Sequence, residues 1–270
     1  MVTFRTLFYP PQGHAYKASP VDLAMLAYGQ DGETPMGWEG VKSRLSALSY
    51  SAEPIGDWNG PGTQGYVATN EHQTVLSFRG TEPNDWADLF INLKLLPATE
   101  AGEAKVHEGF QKALNEVWSQ VESTLPANLP LLICGHSLGG ALALLAASRL
   151  SARTPQVYTY GAPRVGNQAW GQRLLEATNH RVFRNVNEED MIASVPARHL
   201  GYAHAPANVI RLREGSVSED SVDLGANPLE LAAAISELAR WVVHCDLSKP
   251  VNQPRLAAHS PSRYLSRAPA

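Results

Sequence analysis

Residues 135–139 read Gly-His-Ser-Leu-Gly and place a serine between two glycines. In a nucleophile elbow, this pattern forms a sharp turn from a strand into a helix and presents the serine hydroxyl for reaction. The pentapeptide alone also fits a Gly-Ser turn without chemistry. Here an apolar run over 131–134 predicts the strand, and an Ala- and Leu-rich run over 138–150 predicts the helix. The context therefore favours Ser137 as a nucleophile on a strained turn.

A serine nucleophile needs two partners further along the chain. A base must accept the hydroxyl proton, and a carboxylate must orient that base. Where the serine stands on such a turn, the acid and then the histidine follow it in sequence. Asp190 comes directly after a strand predicted over 181–186 and is the favoured acid. Its rivals are Glu188, Glu189, Asp220, Asp223 and Asp246.

The candidate base is one of four histidines beyond Asp190. They are His199, His204, His244 and His259. His199 and His204 lie in a loop and fit satisfied polar groups equally well, and His244 ends a predicted helix, where a polar side chain is favoured for other reasons. His259 follows the last predicted helix on a loose tail rich in Pro, Ser and Arg. Spacing alone does not choose between the four.

Hydrophobic periodicity predicts the elements that must position these residues. Helices are predicted over 19–27, 38–48, 108–125, 138–150, 168–177 and 228–243. Strands are predicted over 65–69, 74–78, 131–134, 157–160, 181–186 and 209–212, the first two forming a hairpin. The alternation of strand and helix indicates an α/β fold with a mostly parallel sheet and helices on its faces. At 270 residues we expect a single domain over 1–270.

Composition and charge exclude several classes of function. A net charge of -4 provides no broad positive surface for nucleic acid. No run approaches the ~20 apolar residues of a transmembrane helix, and no His/Cys cluster has zinc spacing. Cys134 and Cys245 are expected to be free thiols. The first residues do not resemble a secretory signal, which slightly favours the cytoplasm and leaves open export without a recognisable signal peptide.

Several separated motifs resemble those of the fungal-type triacylglycerol lipases, also called class 3 lipases. The likeness runs from about residue 65 to residue 265. The motifs, in chain order, are Phe78-Arg79-Gly80-Thr81, Val106-His107-Glu108-Gly109-Phe110, the Gly-His-Ser-Leu-Gly-Gly of 135–140, Thr159-Tyr160-Gly161-Ala162-Pro163-Arg164-Val165-Gly166-Asn167, Asn187-Glu188-Glu189-Asp190, and His259 followed by Arg263-Tyr264-Leu265.

The resemblance implies an α/β-hydrolase fold and a role for each matching residue. Ser137 is the nucleophile, Asp190 the acid and His259 the base. The backbone amides of Thr81 and Leu138 form the oxyanion hole. His204 and His107 are structural histidines.

The resemblance also implies a short lid over about 82–97, with Trp86, Leu89 and Phe90 as candidates for contact with an acyl chain. This sequence departs from the family pattern there, since Ala87 alone separates Trp86 from the next Asp. Interfacial activation therefore does not follow from the resemblance. An ordinary helix edge in the core explains the apolar residues equally well.

The implied activity is hydrolysis of fatty acyl esters, such as acylglycerols, through an acyl-enzyme. The substrate is then a lipid or small ester, with possible transient contact at a lipid interface and without a cofactor or metal. Phospholipase A1 and feruloyl-type esterase activity are the alternatives, since one fold hosts many substrates. A non-catalytic lipid-binding scaffold is a third, less favoured reading.

Overall fold

The computed structural model describes residues 18–31, 34–81, 103–187, 189–213, 216–220 and 258–267. Three predicted features lie outside these residues: the lid with Trp86, Leu89 and Phe90, the helix over 228–243, and Cys245. The single domain stays a prediction. Among the described residues, no helix is long and apolar enough to cross a membrane.

Helices and strands alternate along most of the described chain. The helices are α1 (Pro20–Leu26), α2 (Gly37–Ala47), α3 (Glu108–Thr124), α4 (Leu138–Arg149), α5 (Gln168–Ala177) and α6 (Pro261–Arg267). The strands are β1 (Gln30–Asp31), β2 (Thr34–Pro35), β3 (Ser51–Ile55), β4 (Gly65–Thr69), β5 (Thr74–Phe78), β6 (Leu131–His136), β7 (Gln156–Tyr160), β8 (Val182–Asn187), β9 (Asn208–Arg213) and β10 (Ser216–Asp220).

Eight of these strands form one sheet in the order β10-β9-β8-β7-β6-β5-β4-β3. The five strands from β5 to β9 are parallel neighbours. The remaining strands add antiparallel pairs at both edges, including the predicted β4–β5 hairpin. The mostly parallel sheet of the predicted α/β fold is confirmed.

Two apolar cores cover the two faces of the sheet. Side chains alternate between faces along a strand, so Leu131 and Ile133 of β6 enter one core and Leu132 and Cys134 the other. The first core contains α3, α4 and α5, and the second contains α1, α2 and α6. This double coverage explains why β6 is apolar at consecutive positions.

The tail around His259 differs from the prediction of a loose loop. Residues 258–267 form a turn followed by α6, and the Tyr264 side chain is fully buried against the second core. This helix has seven residues, of which Tyr264 alone is buried, so it leaves no periodic apolar pattern in the sequence. Its position depends on long-range contacts with the sheet rather than on local propensity.

Candidate active site

Ser137, Asp190 and the other predicted site residues that the structure describes lie at the carboxyl ends of the parallel strands. The last residues of β5, β6, β7 and β8 lie side by side in register, as Phe78 pairs with Gly135, and His136 with Tyr160. In open α/β sheets, ligands bind outside the carboxyl ends of the strands. The loops that leave this edge carry Ser137 and Asp190.

Ser137 occupies the turn between β6 and α4 in a strained conformation. Its φ of 57° and ψ of -127° lie outside the backbone φ/ψ regions that residues other than glycine normally adopt. Its amide donates to the carbonyl of Tyr160 at 2.9 Å, which fixes the turn against β7. The strain that the sequence pattern predicts at this position is present.

Glycines allow the close contact between strand and helix at this turn. A Cβ on Gly135 would stand 2.3 Å from the backbone of Gly139, and a Cβ on Gly139 would stand 2.1 Å from the carbonyl oxygen of Phe78. No side chain fits at either distance. The two glycines of the Gly-His-Ser-Leu-Gly pattern are therefore required for a direct steric reason.

Asp190 and His259 form a buried hydrogen-bonded pair. The distance from His259 Nδ1 to Asp190 Oδ2 is 2.7 Å, and both side chains are inaccessible to solvent. The other carboxylate oxygen, Oδ1, accepts from the backbone amides of Ile192 and Ala193 at 2.8 and 3.4 Å. An ionised carboxylate only accepts, so the His259 proton lies on Nδ1 and Nε2 is left as the basic nitrogen.

The hydroxyl of Tyr264 supports the pair of Asp190 and His259. Its hydroxyl donates to Asp190 Oδ2 at 2.5 Å and accepts from the Asn187 amide at 3.0 Å. The Asn187 side chain also donates to the carbonyl of Ala258 at 2.8 Å. Burial and the adjacent Asp190 charge raise the pKa of Tyr264, so its hydroxyl keeps its proton. These contacts anchor the segment that carries His259 to the end of β8.

The imidazole of His259 lies against the backbone that follows β7. A Cβ on Gly161 would stand 2.6 Å from Asp190 Oδ2 and 2.9 Å from Cε1 and Nδ1 of His259. Gly161 directly follows Tyr160, whose carbonyl accepts from the Ser137 amide. The ring is therefore placed beside the serine turn. Ser137 Oγ itself is buried and makes no hydrogen bond to the described residues.

A second histidine, His136, links the turn to the same segment. Its Nε2 lies 2.8 Å from the carbonyl oxygen of His259, and its Nδ1 lies 2.6 Å from the hydroxyl of Tyr28. Burial, and next the neighbouring His259 ring, hold the pKa of His136 well below its usual value. His136 is therefore an uncharged side chain that links the end of β6 to the segment with His259.

The segment that contains Thr81 passes beside Ser137. A Cβ on Gly80 would stand 3.1 Å from the Cβ of Ser137 and 2.2 Å from the hydroxyl of Tyr28. Thr81, the next residue, is half-buried. Leu138 begins α4 directly after Ser137, so its amide is among those without a partner inside the helix. Both predicted oxyanion donors thus belong to the backbone that adjoins the serine.

The rival residues fall into three groups. The Nε2 of His204 contacts the Ala193 carbonyl at 2.6 Å and not Asp190 or Ser137. His199 and Glu189 are exposed. The side chains of the others lie outside the described residues; these are Glu188, Asp220, Asp223, His244 and Asp246. His107 caps α3 by accepting from the Gly109 amide.

Sequence reasoning missed several residues that hold the site together. They are Tyr28, His136, Asn187 and Tyr264 as supports of the pair, and Gln64 as a neighbour of the Thr81 segment. His136, Asn187 and Tyr264 had a signal, since each stands inside a family motif. Tyr28 and Gln64 act through contacts between distant parts of the chain, which spacing does not indicate.

The sequence resembles known lipases through its central region. Residues 75–200 match the sequence model of the family described as Lipase (class 3). A lipase of Rhizopus niveus is 33% identical over 157 residues, which cover 53% of this chain and 40% of that protein. A secreted mono- and diacylglycerol lipase of Fusarium solani is 30% identical, with 53% and 46% covered. The chain spans less than half the length of these curated relatives.

The fold also resembles that of a solved lipase. The crystal structure of the lipase from Rhizopus microsporus var. chinensis superposes with a TM-score of 0.56 at 25% identity, and the match covers 71% of each chain. Together with the sequence matches, this confirms the predicted resemblance to class 3 lipases and the α/β-hydrolase fold.

Proposed function

We propose that this chain, whose residues 75–200 match class 3 lipases, hydrolyses fatty acyl esters with Ser137 as nucleophile, His259 as base and Asp190 as the orienting acid. The observation that carries the proposal is the contact of 2.7 Å between Asp190 Oδ2 and His259 Nδ1, beside the strained serine turn. Among the histidines and carboxylates that the sequence leaves open, this contact supports His259 and Asp190.

The reaction proceeds in two steps. Nε2 of His259 accepts the Ser137 proton as the oxygen attacks the ester carbonyl, and the resulting imidazolium protonates the departing alcohol. Water, which gives a proton to the same imidazole, then attacks the acyl carbon. The bond from that carbon to Ser137 Oγ breaks, the carboxylic acid leaves, and His259 returns the proton to Ser137. Ser137 Oγ makes no hydrogen bond to the described residues, and we expect its bond to His259 Nε2 to form when substrate is bound, because such bonds are often long in free enzymes.

The oxyanion of each tetrahedral intermediate lies between two backbone amides in this proposal. They belong to Thr81 and Leu138, on the two segments that adjoin the serine. The start of α4 adds a partial positive charge at the same point. Loss of one such donor typically costs ~100- to 1,000-fold in turnover.

Acylglycerols are the proposed substrates. The Rhizopus relative is a lipase and the Fusarium relative a mono- and diacylglycerol lipase, which favours neutral lipids over phospholipid or feruloyl esters. Both Ser137 and His259 are inaccessible to solvent, a setting suited to an apolar acyl chain once the site opens. Transient contact with a lipid interface belongs to the same proposal. The Fusarium relative is secreted, which favours export and gives no support to the expected preference for the cytoplasm.

The test is a hydrolysis series with p-nitrophenyl esters of increasing chain length, emulsified triglyceride and phosphatidylcholine. We expect hydrolysis of medium or long acyl esters and of triglyceride, abolished in Ser137→Ala and retained in Ser148→Ala, a serine substitution in the helix α4 that follows Ser137. Faster turnover of phosphatidylcholine than of triglyceride would favour phospholipase A1 instead. Comparing tributyrin below and above its solubility limit measures the response to an interface.

Covalent labelling separates an enzyme from an inert scaffold. A fluorophosphonate should modify Ser137 of the wild type and leave Ser137→Ala unlabelled. A folded wild type that neither labels nor hydrolyses any of these esters contradicts the proposed activity and favours a lipid-binding scaffold.

A further inference from the structure

Gln64 lies directly before β4, at the same end of the strands as Asp190 and His259. It is 6% exposed. Its side-chain NH2 group donates to the carbonyl oxygens of Asp57 and Gly60 at 2.9 and 2.8 Å. Its side-chain oxygen accepts from Nη1 of Arg79, and its backbone carbonyl accepts from the Arg79 amide at 2.9 Å. One glutamine thus holds Arg79 at two points.

The orientation of this amide follows from its partners. The carbonyls of Asp57 and Gly60 can only accept, so Nε2 must face them. Arg79 can only donate, so Oε1 must face Arg79. Every side-chain hydrogen-bonding group of the amide has a use, and a flipped amide would lose all three bonds. Such a fully used buried amide makes a rigid connection.

Arg79 passes this constraint to the serine turn through the next residue. Gly80 follows it, and a Cβ there would stand 2.6 Å from the carbonyl oxygen of His136 and 3.1 Å from the Cβ of Ser137. The backbone of Arg79 itself packs on α4, since a Cβ on Gly139 would stand 2.9 Å from its carbonyl carbon. The segment 79–81 therefore forms a wall of the site whose outer support is Gln64.

We propose that Gln64 is a positioning residue for ester hydrolysis, which sets the 79–81 segment at the distance from Ser137 that oxyanion stabilisation requires. The inference rests on the proposed function, in which the Thr81 amide is one of the two oxyanion donors. Gln64 touches neither substrate nor Ser137. It acts because oxyanion donors must be placed within a few tenths of an ångström before the charge develops.

The variant Gln64→Met tests this role, with Gln73→Met as the matched control. Methionine has a similar length and removes all three side-chain hydrogen bonds of Gln64. Gln73 is equally buried, at 5% exposed, and donates to the hydroxyl of Tyr50, but it precedes β5 at the opposite edge of the sheet. Both variants lose a buried hydrogen-bonded amide from the same sheet. Only one lies next to the proposed oxyanion hole.

A positioning role predicts a specific kinetic result on a soluble p-nitrophenyl ester. We expect Gln64→Met to lower kcat ~10- to 100-fold with KM within about 2-fold, because the lost interaction belongs to the transition state. A reversible alkyl boronic acid, which mimics the tetrahedral intermediate at serine, should lose affinity by a similar factor. Gln73→Met should keep the kcat and the boronic acid affinity of the wild type.

A double-variant cycle tests whether Gln64 acts through Arg79. If it does, Gln64→Met combined with Arg79→Met lowers kcat much less than the product of the two single effects. Fully multiplicative losses contradict the link. The inference as a whole is overturned if folded Gln64→Met retains the kcat of Gln73→Met, or if only its KM changes. Failure of the proposed function has a different signature, since the wild type itself would then hydrolyse no ester.

Discussion

The ring of His136 lies beside that of His259, with 4.6 Å between the ring centroids, and its Nε2 bonds to the His259 carbonyl oxygen. A carbonyl only accepts, so the His136 proton lies on Nε2 and its Nδ1 accepts from the Tyr28 hydroxyl. The ring is therefore neutral and stays so next to a base that becomes an imidazolium during the proposed reaction. A second positive charge at that distance would oppose proton transfer to His259.

Buried neutral histidines make the stability of this fold depend on pH. The pKa of His136 is held well below 6.5 by burial and then by His259; that of His204 is lowered by burial and then by the charges of Arg184 and Arg164. Below pH ~6.5 these two histidines bind protons in the unfolded chain but not in the folded chain. Stability is thus fully present above that pH and is lost as the pH falls.

We expect the free energy of unfolding to fall by about 2 kcal/mol between pH 6.5 and pH 5.5, near 1 kcal/mol from each of the two histidines. Urea unfolding at pH 7.5, 6.5 and 5.5 measures the change. His136→Gln should remove about half of it. His199→Gln, at an exposed histidine, should leave it unchanged. Equal stability at pH 5.5 and 7.5 would show that the two rings accept protons in the folded state.

Tyr264→Phe removes one of the hydrogen bonds that hold Asp190. Without the hydroxyl, Asp190 Oδ2 loses a donor and the Asn187 amide loses its acceptor. We expect a stability loss of about 1–3 kcal/mol. We also expect kcat to fall ~10-fold at unchanged KM, because the carboxylate orients His259 less well.

The control for Tyr264 is Tyr158→Phe. Tyr158 is also buried in the second core, and its hydroxyl accepts from Gln156 at 2.6 Å, away from the catalytic pair. Both variants are compared by kcat on a soluble ester and by urea unfolding. A kcat loss in Tyr158→Phe as large as that in Tyr264→Phe would mean that the effect comes from general loosening of the core.

Gly161→Ala should displace Asp190 and His259 from their observed positions. Its added Cβ would stand 2.6 Å from Asp190 Oδ2 and 2.9 Å from the His259 ring, at a φ of +60°. Gly37→Ala is the matched control, since Gly37 has a φ of +59° and its Cβ would meet nothing within 4 Å. Both variants carry the strain of positive φ, which costs about 1–3 kcal/mol.

We expect Gly161→Ala alone to lower kcat, by ~100-fold or more, because small displacements of catalytic groups reduce rates steeply. The measurement is kcat on a soluble ester at a temperature where circular dichroism shows both variants folded. If the two variants keep the same kcat, the pair tolerates a shift and its observed geometry is not the reacting one.

The sequence predicts the strand, turn and helix that carry Ser137 better than it predicts the buried polar side chains that hold the site together. The apolar run of β6 and the Ala/Leu pattern of α4 are local, so both elements and the serine turn between them follow from periodicity. The histidine does not follow in this way, because its selection depends on where a distant segment docks. Only the family motif points to His259, and the structure places its Nδ1 2.7 Å from Asp190 Oδ2.

Supports such as Gln64 and Tyr28 carry no local signal at all. Each is one polar side chain whose partners are far away in sequence, as in the contact of Tyr28 with His136. Burial decides their importance, since an unmade hydrogen bond costs far more inside the protein than at its surface. Burial of an individual polar residue is a property of the whole fold.

The strained backbone of Ser137 predicts a conflict between stability and activity. Its φ of 57° disfavours any residue with a Cβ, and its buried hydroxyl makes no hydrogen bond to the described residues. Ser137→Ala removes that buried hydroxyl, so it should be at least as stable as the wild type. Ser137→Gly also removes the Cβ and relieves strain of about 1–3 kcal/mol, less ~0.5–1 kcal/mol for the added freedom of the unfolded chain.

We therefore expect Ser137→Gly to be about 0–2.5 kcal/mol more stable than Ser137→Ala, while both are inactive. Urea unfolding of the two variants and the wild type gives the comparison. Since both lack the hydroxyl, their difference isolates the backbone term. If Ser137→Gly is the less stable of the two, the backbone of the turn is not strained in solution. The conformation of Ser137 would then carry no cost in stability.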